Sequence, residues 1–154
     1  MNLSFWEKQT WFTNIDFTIV GSGIVGLHCA LELQKKHPKA KILILEKGTL
    51  PEGASTKNAG FACFGSISEI LDDLKNQPQQ AVLDLVKKRK KGLELLRNHL
   101  GDTAIDYQQN GGYEVFLDTE KPFFEHCMAQ IPAVNKLFEN VFATNPRFWI
   151  SKNI

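Results

Sequence analysis

Between two short apolar runs, Asp16-Phe17-Thr18-Ile19-Val20-Gly21 and Lys41-Ile42-Leu43-Ile44-Leu45-Glu46, stands the hexapeptide Gly21-Ser22-Gly23-Ile24-Val25-Gly26. No other feature restricts the fold as strongly. The first run is β-branched and aromatic and ends at glycine, as a strand does. From Gly23 to about Lys36 apolar residues recur at helical spacing (Ile24, Leu27, Ala30, Leu31), and His37-Pro38 ends the pattern because proline disfavours helix just before it. Residues 16–46 therefore read as a βαβ unit of about 30 residues, with parallel strands imposed by the crossover helix. The unbroken apolar character of both strands predicts burial on two faces.

The spacing also carries chemistry. Gly21 permits a tight turn, Gly23 lets the backbone approach a pyrophosphate, and Gly26 lets helix and strand pack closely. The amides of Ser22, Ile24 and Val25 belong to the same turn, at a helix N-terminus whose unpaired N–H groups and positive dipole end suit phosphate. Glu46 ends the second strand twenty residues beyond Gly26, where a carboxylate accepts hydrogen bonds from a ribose diol. A negative charge there disfavours a 2′-phosphate, so NADP is the least suited dinucleotide. The fingerprint does not choose between FAD and NAD, which present the same ADP half to it.

The rest of the chain is read around this unit. Its 154 residues fit one domain and part of another. With 18 Lys and Arg against 17 Asp and Glu, no global field favours nucleic acid or an acidic membrane. No apolar run is long enough to span a bilayer, and the first residues lack a basic region followed by an apolar one, so the expected location is cytoplasmic. Three widely spaced cysteines, Cys29, Cys63 and Cys127, fit reduced thiols.

Ser4 with Glu7 forms a capping-box pattern before a short aromatic-rich helix. Helical spacing returns over Ser66 to Asn76, and again from Gln79 to Leu100, with Pro78 between and Gly101 as the stop. Ile105–Gln108 and Gly112–Leu117, joined across Asn110-Gly111, predict a β-hairpin. A helix from about Thr119 is expected to end at Pro132, with another over Ala133 to Phe142 and a strand at Arg147–Ile150.

Between Lys47 and Gly65 the chain is long for a connection without periodicity. There, Glu46-Lys47 followed by Gly53-Ala54-Ser55-Thr56-Lys57-Asn58-Ala59-Gly60 resembles the N-terminal part of the FAD-dependent amine and amino-acid oxidoreductases: D-amino-acid dehydrogenase, glycine and sarcosine oxidases and γ-glutamylputrescine oxidase. The resemblance covers about residues 14–120. It implies FAD as cofactor, Ser55 and Thr56 beside the pyrophosphate or ribityl chain, and Lys57, Asn58, Ala59 and Gly60 bordering the flavin ring. It further implies hydride transfer from an amine-bearing carbon of a small amine or amino acid, and a hairpin that begins an antiparallel substrate-domain sheet. Many members carry arginine where this chain has Lys57, which removes bidentate contacts. Lys57 is the candidate for tuning the charge of the reduced flavin.

Other features read as structural. Lys87-Lys88-Arg89-Lys90-Lys91 spreads around a helix without interleaved aromatics, as a solvated face does. Cys63 is expected to be a buried small side chain. His126 and Cys127, adjacent in sequence, point about 100° apart on a helix and lack metal-ligand spacing.

The fold class expected is α/β: a Rossmann-like FAD-binding βαβ unit, following helices and the start of an antiparallel sheet. Residues 1–100 form the dinucleotide-binding portion and 101–154 the beginning of a substrate domain. Two parallel strands buried on both faces need more strands than this chain supplies, which implies a missing C-terminal half or a partner subunit. Three alternatives stand beside amine oxidation: a non-catalytic fragment or split-subunit module, a 2-hydroxy-acid flavin oxidoreductase, and an NAD-binding dehydrogenase domain.

Overall fold

The computed structural model describes residues 3–142 and 148. Packing divides the chain into two compact units, Met1–Phe61 and Ala62–Ile154. The first opens with helix α1 (Phe5–Trp11), whose Ser4 and Glu7 form the expected reciprocal capping box. Lys41 Nζ donates to the carbonyls of Thr10 and Thr13 (2.6 and 2.9 Å), tying the end of this helix to the strand start. Asp16 reinforces the same corner by accepting the Lys41 amide at 2.8 Å.

Strands β1 (Phe17–Val20) and β2 (Ile42–Leu45) pair in parallel, Phe17 opposite Ile42 and Val20 opposite Leu45. Helix α2 (Ile24–Lys36) makes the crossover and packs on both strands. Burial on two faces is not found. Along β1 half-buried Phe17 and Ile19 alternate with exposed Thr18 and Val20, and no residue of α2 or either strand is buried. The reason is cover. One helix shields one face of a two-stranded sheet, so Val20 stays 85% exposed despite a sequence suited to a central strand.

In the second unit, α3 (Ile67–Asn76), α4 (Gln79–Leu100) and α5 (Lys121–Leu137) surround an apolar cluster of Ile67, Ile70, Leu71, Val82, Val86, Cys127, Val134, Phe138 and Val141. Its largest fully buried side chains, Phe138, Ile70, Val82 and Val86, each contribute about 1.5–3 kcal/mol on removal from water. A second capping box, Ser66 with Glu69, starts α3, and Gly101 at φ +81° ends α4. The helices up to residue 100 that follow the loop in sequence thus pack in this unit. Among the described residues, no helix is long and apolar enough to cross a membrane.

Three expectations fail here. Helix α5 runs through Pro132 instead of ending there. Its apolar stripe of Cys127, Ile131, Val134 and Phe138 continues at spacings of four, three and four across the proline, and packing of that stripe outweighs the lost backbone bond.

The hairpin is also absent: Ile105–Gln108 and Gly112–Leu117 form turns and irregular extended chain. An isolated two-stranded hairpin is marginal in water, and side chains hold this segment instead. Arg97 pairs with Asp102 through two 2.7 Å bonds and lies over the Tyr107 ring, while Phe116 packs edge-on against Phe123 and Phe124. Glu114 accepts from both hydroxyls of Ser66 and Ser68 at the start of α3.

Cys63 is exposed, as is Cys29, and only Cys127 is buried. Cys63 lies in irregular chain just before α3, outside the apolar cluster that covers Cys127. The strand expected at Arg147–Ile150 lies outside the described residues, Phe148 apart. There Asn135, buried on α5, donates to the Phe148 carbonyl and accepts its amide.

Candidate functional site

The candidate site lies within the first unit, where β1 turns into α2. Gly21 adopts φ +98°, a conformation that L side chains rarely enter, and its amide donates to the Leu45 carbonyl at 2.7 Å, extending the parallel ladder into the turn. A Cβ on Gly26 would collide with the Gly21 carbonyl oxygen and meet Ile19 Cγ2 at 3.3 Å. The third glycine therefore sets how closely the helix approaches the strand. Gly23 is the N-cap of α2 and offers no side-chain acceptor. The acceptor comes instead from Ser55, whose Oγ takes the Ile24 amide at 2.9 Å and would stand 3.0 Å from a Cβ on Gly23.

Glu46 follows β2 directly and turns its carboxylate onto the glycine turn. Its Oε2 accepts from both the amide and the hydroxyl of Ser22, at 2.8 and 2.7 Å, and Oε1 accepts the Lys47 amide at 2.9 Å. The Gly48 amide stands at 3.5 Å. These donors, the Ser22 amide first and its hydroxyl next, hold the carboxyl pKa down at about 2. Glu46 is exposed and ionised throughout the neutral range.

The loop after it is shaped by its own side chains. Ala54–Thr56 form a single 3-10 turn. Thr56 donates its hydroxyl proton to the Pro51 carbonyl at 2.8 Å. The Asn58 amide group donates to Ser55 O at 2.9 Å and its Oδ1 accepts the Gly60 amide at 2.7 Å, bracing the left-handed turn at Gly60. The structure thus gathers Gly21, Ser22, Gly23, Ile24, Gly26, Glu46, Lys47 and Ser55 at one corner. Thr56, Lys57, Asn58, Ala59 and Gly60 follow Ser55 as exposed chain, and Val25 is 80% exposed.

Two relationships escaped sequence reasoning. Ser22 stood inside the motif, yet only the fold brings Glu46, 24 residues on, to its hydroxyl. Ser55 caps a helix 31 residues earlier, for which no local pattern exists.

These residues fit the ADP half of a dinucleotide: a glycine turn, first-turn amides of α2 beyond Ile24, whose own amide Ser55 already holds, and an ionised carboxylate beside them. Among the described residues no three of His, Cys, Asp and Glu come together. On α4, Lys87, Lys88, Arg89 and Lys91 are exposed, and Arg89 reaches the Phe64 carbonyl at 3.3 Å.

A family model described as FAD dependent oxidoreductase matches residues 16–150. A mitochondrial L-2-hydroxyglutarate dehydrogenase of Dictyostelium discoideum is 32% identical over 111 residues, which cover 71% of this chain and 22% of that protein. The chain therefore spans about a fifth of the length of this relative. No solved structure matches it.

Proposed function

Since the chain belongs to the family of FAD-dependent oxidoreductases, we propose that residues 16–60 bind the ADP half of FAD in an enzyme that oxidises the substituted carbon of a small 2-hydroxy acid. The cofactor is FAD. The observation that carries the binding role is the corner itself: the glycine turn, the α2 N-terminus and the Glu46 carboxylate meet, with the Ser22 hydroxyl on the carboxylate and the Ser55 hydroxyl on the first amide of the helix. The hydroxy-acid substrate is supported by the relative, whose name specifies 2-hydroxyglutarate and whose match runs over 71% of this chain.

Bound FAD would supply the hydride acceptor for oxidation of the substrate carbon to a keto acid, the hydroxyl proton passing to solvent. The chain's own residues anchor and orient. First-turn amides of α2 beyond Ile24 receive the pyrophosphate, Glu46 fixes the ribose, and Ser55, on the Ile24 amide, sets the loop against the helix terminus. Amine or amino-acid oxidation is the second reading, supported by the resemblance of Gly53–Gly60 to that branch of flavoproteins. The share of the relative that the chain spans, together with the open faces of β1 and β2, supports completion of the substrate pocket by further polypeptide, a C-terminal continuation or a partner subunit.

Titration of the protein with FAD, followed by quenching of flavin fluorescence, tests the binding role. Saturable uptake, weakened about tenfold by Glu46→Ala, is expected for loss of hydrogen bonds to a charged group; no uptake by the unaltered protein overturns the proposal. Anaerobic addition of 2-hydroxy acids and of amino acids to the FAD-loaded protein, together with the polypeptide that completes its pocket, then separates the two substrate readings. Bleaching of the visible flavin band by 2-hydroxy acids is the expected result, and bleaching by amino acids alone replaces the first reading with the second.

A further inference from the structure

Helix α1 leaves its aromatic side chains open. Two tryptophans and two phenylalanines fall within Phe5–Phe12, and all four are exposed, Trp6 at 74% and Trp11 at 55%. At about 100° per residue Phe5 and Phe12 share a face with Lys8 and Gln9, and Trp6 and Trp11 flank it. Glu7, the one half-buried residue of the helix, lies on the opposite side, its carboxylate accepting the Ser4 amide at 2.8 Å.

The chain beside α1 is cationic. Lys41 holds the carbonyls of Thr10 and Thr13, and the Phe17 ring meets that of His37 at 5.3 Å. The end of α1, the end of α2 and the starts of both strands therefore form one end of the unit. Residues 35–41 bring Lys35, Lys36, Lys39 and Lys41 there and no acid. The neighbouring acids are engaged, Glu32 with Lys35 at 2.8 Å and Asp16 with the Lys41 amide. Among the described residues no ion pair takes Lys8, Lys36 or Lys39, all of them exposed. The glycine turn lies at the other end of the parallel strands.

We propose that this end of the unit docks on an anionic bilayer surface, with the α1 aromatics in the headgroup layer and the lysines on lipid phosphates. Seven residues of helix, about 10 Å, are too short to cross a bilayer and long enough to lie along it. Tryptophan and phenylalanine gain from the boundary between headgroups and acyl chains, and each lysine near an anionic surface adds about fivefold to partitioning. A bilayer is favoured over a purely apolar protein cover because aromatic and cationic groups stand side by side, and an anionic lipid surface takes both. The glycine turn, at the far end of the strands, stays clear of the bilayer.

Sedimentation of the protein with vesicles tests this, comparing phosphatidylcholine alone with an equal mixture of phosphatidylcholine and phosphatidylglycerol. The expected result is binding about tenfold or more tighter to the mixed vesicles, with a blue shift of tryptophan emission and weakening by added salt. Lys36→Glu with Lys39→Glu should weaken that binding about tenfold or more. Trp6→Ala with Trp11→Ala should remove the blue shift and most of the binding, circular dichroism confirming that both variants fold. Should either pair not fold, the lipid and salt comparisons on the unaltered protein still decide. Equal binding to both vesicles, no binding to either, or binding that survives both pairs of substitutions overturns the proposal. Self-association that is lost with the tryptophans and comes without vesicle binding would assign the face to a second copy. Loss of vesicle binding once the polypeptide that completes the pocket is added would assign it to that polypeptide. Either result also overturns the proposal.

Discussion

Glu46 is an exposed carboxylate with the acidity of a strongly hydrogen-bonded one, because the Ser22 amide and hydroxyl both face Oε2. Its pKa is depressed from 4.5 to about 2, so whatever the charged form contributes is fully present above pH 4.5 and lost only as pH falls toward 2. Solvent screening at this exposed position keeps the effect on folding stability small. Its effect on the cofactor is a matter of protonation state. FAD affinity is expected to stay within about twofold between pH 7 and pH 4, measured by fluorescence titration. A decline with a midpoint near 4.5, present in the unaltered protein and absent in Glu46→Gln, would show an ordinary carboxylate. Cys127 moves the other way: burial, and then the nearby charge of Glu114, raise its thiol pKa.

At the scale of elements, local pattern and packing compete, and α5 records the outcome. Pro132 removes one backbone bond from the helix, yet Ile131, Val134 and Phe138 carry the apolar stripe past it. Pro132 itself is exposed, so replacing it leaves the stripe intact. Pro132→Ala is therefore expected to stabilise the protein by about 1–3 kcal/mol, read as a raised urea midpoint; a lowered midpoint would mean that the proline fixes a bend the packing needs. The same competition undid the hairpin. Asn110-Gly111 has the right turn chemistry, and Gly111 does take φ +73°. The flanking residues nevertheless find better partners in Arg97, in the α3 serines and in the α5 phenylalanines than in each other.

Over the whole molecule, stability is unevenly shared. All buried apolar side chains among the described residues lie between Ile67 and Val141, whereas the unit carrying the site has none. Hydrogen exchange should therefore be slowest in α3, α4 and α5 and faster in β1, α2 and β2, since protection follows buried contact density. FAD should selectively slow the latter set, because a ligand stabilises the state that binds it. Uniform protection without FAD, or slowing confined to the helical unit on its addition, would contradict this distribution.

The sequence by itself determined the strand, glycine turn, helix, strand and acid, in register. Each of those signals depends on a few neighbouring residues: the φ that only glycine reaches freely, the helix stop before Pro38, the capping boxes at Ser4 and Ser66. It also determined that Glu46 would come to the turn, because twenty residues of helix and strand have a fixed length. Only the tertiary structure decided which group would hold that carboxylate, that Ser55 would cap α2, that α5 would pass through its proline, and which apolar faces would lie open. Those outcomes depend on contacts between residues far apart in sequence. Their free energies outweigh local preference and appear in no window of the chain.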